Sequence, residues 1–293
     1  DPLQGAAARL RARGALDLRL RGLHGPRRER PQAAPQLLEQ RQQLPHGPLD
    51  FGSGAARDDG PLVDADAVVG LVHVHDVAVV TVFEPDEIAA GLEAPGSTCF
   101  VLTNTRSLSE VDAVALNTRL GRMLFDLADR LNAPIDVVSR SDSTLRGHVI
   151  AEVAALDAVR REMIGHGYDG VLLVPAFFEA GRFTAGDVHW AKVDGEPRPV
   201  GETEFARDAT FGFAASNLRD FVAEKSGGNI QPGEVVSITL DDIRRGGPQR
   251  VTEILADVNG GAFVVVNAVE YADLDVVVLG LLDAQAAGKA FLY

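Results

Sequence analysis

Residues 99–150 read CFVLTNTRSLSEVDAVALNTRLGRMLFDLADRLNAPIDVVSRSDSTLRGHVI. The run at 99–103 is apolar and of strand length. Ser109 stands three residues before Asp112, the spacing of a helix N-cap whose side chain meets the first free amides. Leu116, Leu120, Leu124, Leu127 and Leu131 then recur every three or four residues, so 110–131 reads as an amphipathic helix. Asn132-Ala133-Pro134 stops it. Residues 135–139 form a second short strand, 140–148 a polar loop, and 149–164 a second helix. Strand, helix, strand, helix with short connections predicts an α/β fold, a mainly parallel sheet with helices on both faces.

The same rhythm continues outward. Residues 77–83 and 170–174 read as further buried strands. Helices are expected at 217–225, 248–258 and 274–287, and strands at 235–240 and 262–267. Residues 176–212 break the pattern with many Gly, Phe, Thr and Glu. Here an irregular insertion is expected, with a hairpin around Asp194-Gly195, and its aromatic content argues for a functional segment.

The chain has 293 residues and a formal charge of −14. Its first 60 residues carry ten Arg and no Lys, a net of +3, which leaves −17 on the rest. An acidic body repels phosphate backbones, which argues against nucleic-acid binding. No apolar run is long enough for a membrane helix, so no membrane partner is expected and a cytoplasmic location is the default. The single cysteine, Cys99, sits in a strand and reads as a packed thiol. Residues 1–61 are rich in Ala, Arg, Gly, Pro and Gln, and read as a disordered or artefactual segment unable to bury a core.

Ligands in open parallel sheets sit beyond the carboxyl ends of the strands. Three loops occupy such places: 103–107 (TNTRS), 139–148 (SRSDSTLRGH) and 175–182 (PAFFEAGR). Each carries an arginine with small polar donors, a set suited to gripping a carboxylate. Asp142, among three hydroxyls and two arginines, reads first as a binding or orienting group and second as a general base. His148 and His189 are candidates to line the cleft. His73 and His75 read as a hydrogen-bonded pair on a strand rather than metal ligands. No GxxxxGK[ST], GxGxxG or GxSxG motif occurs.

SRSDSTLRGH (139–148) resembles the four-carbon acid sugar kinases, also labelled Hrp-dependent type III effector proteins. VLTNTRSLS (101–109), PAFFEAGRFTAGDVHW (175–190), PVGETEFARDATFGF (199–213), SNLRDFVAEKSGG (216–228) and 264–293 agree in order, so the resemblance covers about 62–293. It implies the acid-sugar-binding N-terminal domain of a kinase. ATP and Mg²⁺ would be held by a C-terminal domain that is not in this chain. A small anionic sugar acid of the threonate or erythronate type would be the substrate, with the chain truncated and inactive alone. On matching positions it implies substrate binding by Asn104, Arg106, Ser141, Asp142, Arg146, Glu179 and Arg182. The family's DDDPTGTQTVHD turn corresponds to DADAVVGLVHVHD (64–76), where Asp66 would be the proton acceptor although several neighbours differ. A non-catalytic sugar-acid-binding or sensor protein is the alternative.

Overall fold

The computed structural model of the chain describes residues 16–20, 77–92 and 96–293. Of the N-terminal 61 residues only the backbone of 16–20 is described, and His73, His75 and Asp66 lie outside the described residues.

Two sheets carry the fold. In the first, β2 (Ala78–Val80) runs parallel to β3 (Thr98–Val101). β1 (Leu16–Leu20) lies between β3 and β4 (Ile135–Val138), antiparallel to both. In the second, β5 (Gly170–Leu173), β9 (Val236–Ile238), β10 (Ala262–Val266) and β11 (Phe291–Leu292) are all parallel, in the order β11-β5-β10-β9. The architecture is α/β with mainly parallel pairing. β1 departs from the expected pattern, since its polar alternation, LDLRL, carries no signal of a buried parallel strand.

The helices follow from their caps and stripes. α1 (Pro85–Ala90) is a short turn after β2. α2 spans Glu110–Leu131, with the Ser109 side chain accepting from the Asp112 amide and Asn132 ending it in the left-handed region. Leu120, Leu124 and Leu127 are buried along its inner face, each worth about 1.5–3 kcal/mol of burial. α3 (Val149–Ile164) packs beside it. These helices and α4 (Leu218–Lys225) cover one sheet face, sharing an apolar cluster with Cys99, Val137, Val171, Phe263 and Val265. Leu172, Val264 and Val266 point the other way, into a second cluster with α5 (Gly247–Asp257) and α6 (Tyr271–Ala286). Alternation along β5 and β10 thus feeds helices on both faces, as strands buried on two sides require.

The insertion is ordered. β6 (Arg182–Ala185), β7 (Val188–Val193) and β8 (Glu196–Pro199) form an antiparallel three-stranded sheet. The expected turn at Asp194-Gly195 is present, and a second two-residue turn falls at Gly186-Asp187. All four residues have positive φ, between 53° and 88°, the geometry that matches strand twist in tight hairpins. The Asp187 carboxylate accepts from Asn267 Nδ2 (2.8 Å) and Ser237 Oγ (2.5 Å), and its amide donates to Asn267 Oδ1 (2.8 Å). These bonds pin the hairpin tip across the carboxyl ends of β9 and β10, over the edge where ligands are expected.

Candidate functional site

The 139–148 loop leaves β4 and folds around Asp142. Its carboxylate accepts from the Thr144 amide (3.1 Å), the Thr144 hydroxyl, Arg146 Nε (2.7 Å) and Arg106 Nη1 (3.2 Å). Burial alone would raise the Asp142 pKa, but bonds from Thr144 and Arg146 outweigh it and hold the carboxyl below its ordinary range. The group is therefore an ionised anchor for two guanidinium groups. Ser141 Oγ donates to the Arg146 carbonyl (3.3 Å) and closes the loop. Gly147, at φ 137°, lies where a Cβ would stand 2.7 Å from Ser141 Oγ, so a side chain there would open that closure.

Arg182 enters from the start of β6. Its Cζ stands 5.7 Å from the Phe177 ring centroid and 5.4 Å from that of Phe205. Arg146 Cζ stands 5.4 Å from the same Phe205 centroid. One aromatic ring thus gathers two cations, a stacking that guanidinium tolerates better than ammonium. Arg182 Nε is buried with no hydrogen-bond partner among the described residues. Burial pulls the Arg182 pKa down, Asp142 opposes that, and Arg146 adds to it. A buried N–H without a partner on a half-buried cation is costly, and an anion supplied from outside would relieve it.

Asp208, from the insertion, stands 3.9 Å from Arg146 Nη1. Backbone amides of Phe211 and Thr210 hold it below the ordinary carboxylate range. Arg140, on the same loop as Asp142, makes no hydrogen bond or ion pair among the described residues. Arg106, Arg140, Arg146 and Arg182 all interact electrostatically with Asp142 or Asp208. Four cations against two carboxylates make a positive patch on an acidic chain.

The structure brings Arg106, Asp142, Arg146 and Arg182 together. Ser141 and Glu179 lie with Asp142 and Arg140 on the wall of an adjoining cavity of about 220 Å³. Glu179 there accepts from the Tyr271 hydroxyl. Asn104 is exposed and, at φ 49°, turns the loop before the short helix at Thr105–Ser107 that carries Arg106. Asp66 lies outside the described residues.

His189 differs from its expected place on the cleft wall. It is fully buried, 0% exposed. Its Nε2 is 2.8 Å from the Ser143 carbonyl and its Nδ1 is 3.0 Å from Thr184 Oγ1. A carbonyl only accepts, so Nε2 carries the proton and Thr184 donates to Nδ1. Burial pushes its pKa down to about 4. The insertion therefore grips the binding loop from beneath through a neutral imidazole. His148 sets its ring edge against Phe211 (4.8 Å) and its Nε2 lies 3.0 Å from the Leu108 carbonyl, tying two of the site loops. Phe205 and Asp208 join the site without a sequence signal beyond lying in matched stretches.

Among the described residues no group of three or more His, Cys, Asp or Glu could hold a metal ion. No described helix is long and apolar enough to cross a membrane.

Fold and site together define an α/β domain with a cluster of arginines at its strand ends. The model of the sugar-binding N-terminal domain matches residues 65–293. The chain belongs to that family, the one its resemblance to four-carbon acid sugar kinases points to. A Haemophilus influenzae protein of the DUF1537 family is similar in fold, with a TM-score of 0.50 at 17% identity over 66% of this chain and 42% of that one. A DUF1537 domain from Bordetella bronchiseptica, a domain-swapped dimer with bound citrate, aligns with a TM-score of 0.47 at 23% identity over 66% and 40%. The chain thus spans about two fifths of the length of these proteins. No curated protein matches it.

Proposed function

We propose that this domain grips the carboxylate of a four-carbon acid sugar, of the threonate or erythronate type, as the substrate half of a cytoplasmic ATP-dependent kinase. The observation that carries the reading is the arginine cluster. Asp142 and Thr144 fix Arg146, Asp142 steadies Arg106, and Arg182 presents a buried Nε with no partner. A carboxylate seated there would accept charge-assisted bonds, each worth about 1.5–3 kcal/mol. Asp142 already accepts from four donors on three residues, so its part is to hold the arginines. It is not free to take a proton. The proton of the attacking hydroxyl is assigned to Asp66, on the family resemblance alone. ATP and Mg²⁺ would come from a second domain, and the protein's share of phosphoryl transfer here is to orient the acceptor.

Titration calorimetry of the chain with threonate, erythronate and the neutral polyol threitol tests this. Binding of an acid with at least roughly tenfold preference over the polyol is expected from one charge-assisted contact. Equal affinity for acid and polyol would remove the carboxylate from the account.

A further inference from the structure

The two oxygens of the Asp208 carboxylate are used differently. Oδ1 accepts from the Thr210 and Phe211 amides, at 2.9 Å each, the pattern of a side chain that closes its own turn. The turn is locked from behind. The Phe213 amide donates to the Ala206 carbonyl (3.0 Å), and Lys225 Nζ donates to the Phe211 and Gly212 carbonyls (3.0 and 2.8 Å). Phe211 is buried and meets the His148 ring of the binding loop. Oδ2 faces the arginine cluster and makes no hydrogen bond among the described residues. It stands 3.9 Å from Arg146 Nη1, beyond the reach of a direct bond. Arg146 spends its Nε on Asp142 and Thr144 (2.7 and 3.0 Å), and its Nη1 makes no hydrogen bond among the described residues. A donor thus faces an acceptor across a gap that neither closes.

We propose that Asp208 is a specificity-determining residue: it accepts a hydrogen bond from the ligand hydroxyl next to the gripped carboxylate, so the site selects 2-hydroxy acids. The inference rests on the acid-sugar reading and deepens it. A hydroxyl oxygen about 2.8 Å from both atoms would bridge the 3.9 Å gap with an angle of about 90° at oxygen. That suits a group that accepts from Arg146 and donates to Asp208. A carboxylate or ketone oxygen fits the place badly, because it only accepts and an ionised Asp208 only accepts too. The Phe211 and Thr210 amides, with Arg146 and Arg106, keep Asp208 ionised. The ligand carboxylate is therefore repelled from Asp208 and drawn toward Arg182, whose Nε is open and whose guanidinium shares the Phe205 ring with Arg146. Arg146 then lies between a cation on one side and an acceptor on the other. A carboxylate with a hydroxyl on the adjacent carbon matches that order. A purely structural role explains less. At 3.9 Å the pair with Arg146 adds little to stability, and the turn bonds need only one oxygen, which asparagine would supply equally.

The test is titration calorimetry of the full chain with threonate, with 3,4-dihydroxybutanoate, which lacks only the 2-hydroxyl, and with threitol. Wild type should bind threonate at least about tenfold more tightly than the deoxy acid, the worth of one bond to a charged group. Asp208→Asn keeps an oxygen for the turn amides but directs an NH₂ donor at Arg146. Threonate should then lose at least about tenfold, while the deoxy acid, relieved of a nearby negative charge, binds as well or better. The variant thus collapses the ratio between the two acids, whereas a structural role would weaken both alike. Equal wild-type affinity for the two acids, both above threitol, would overturn the Asp208 proposal and leave the carboxylate reading standing; that comparison needs no variant. Loss of both acids by the same factor in Asp208→Asn would also overturn it. Acids bound no better than threitol would remove the carboxylate reading and this proposal together.

Discussion

Lowering the pH from about 7 to 5 should weaken this domain through His189. The imidazole is fully buried, its folded pKa is about 4, and the ordinary value is 6.5. As pH falls through 6.5 the unfolded chain takes up this proton, while the folded chain refuses it until about 4. Stability from the neutral imidazole is therefore complete above 6.5 and drains away as pH falls toward 4. The difference in pKa sets a ceiling of about 3 kcal/mol, of which about 2 kcal/mol is lost between pH 7 and 5. The groups facing the ring are Thr184 and Ser143 through hydrogen bonds, Arg182, which opposes protonation, and Asp142, which favours it. Urea unfolding of wild type and His189→Gln at both pH values isolates the group, since other titrations cancel in the double difference. Wild type should lose about 2 kcal/mol more than the variant over that interval. Equal losses would show that the imidazole is not held neutral between the hairpin and the binding loop.

Two further substitutions probe the scaffold of the site. Asp142→Asn keeps the shape but removes the charge that engages Arg106 and Arg146, and should cost about 1–3 kcal/mol in unfolding free energy. The same variant should weaken acid-sugar binding at least tenfold by calorimetry. Because the Asp142 pKa is depressed, its contribution in wild type is present above the ordinary carboxylate value and is lost as pH falls below about 3.8. Asn267→Ala removes bonds to Asp187 and to the Ile238 carbonyl (3.0 Å), and should lower stability by about 1–3 kcal/mol in thermal unfolding. Hydrogen exchange in that variant should rise first in the 182–193 hairpin.

What the sequence shows best is local. α2 and α3 start and stop at the predicted residues because Ser109, Asn132 and Gly165 determine their ends through short-range geometry. The Asp194-Gly195 hairpin is equally local, and Gly186-Asp187 carried the same chemistry beside a strand already expected. β1 was not legible, since five alternating residues mean nothing without the strands that flank them, whereas the apolar end at Phe291-Leu292 reads as a strand. The arginines of the site were legible as residues of loops expected to meet at the strand ends, but the contacts that fix them were not. Phe205 and Asp208 reach them from across the insertion, and His189 turns inward to the Ser143 carbonyl. Such contacts depend on tertiary placement, on which periodicity is silent.

The account stands or falls on the unpaired guanidinium at the start of β6. Arg182→Gln should reduce affinity for threonate or erythronate at least about tenfold in titration calorimetry. Its unfolding free energy should be unchanged or slightly raised, since a half-buried cation with an unpartnered Nε is removed. Undiminished acid binding by this variant, with its fold intact, would contradict the claim that the arginine cluster holds the carboxylate.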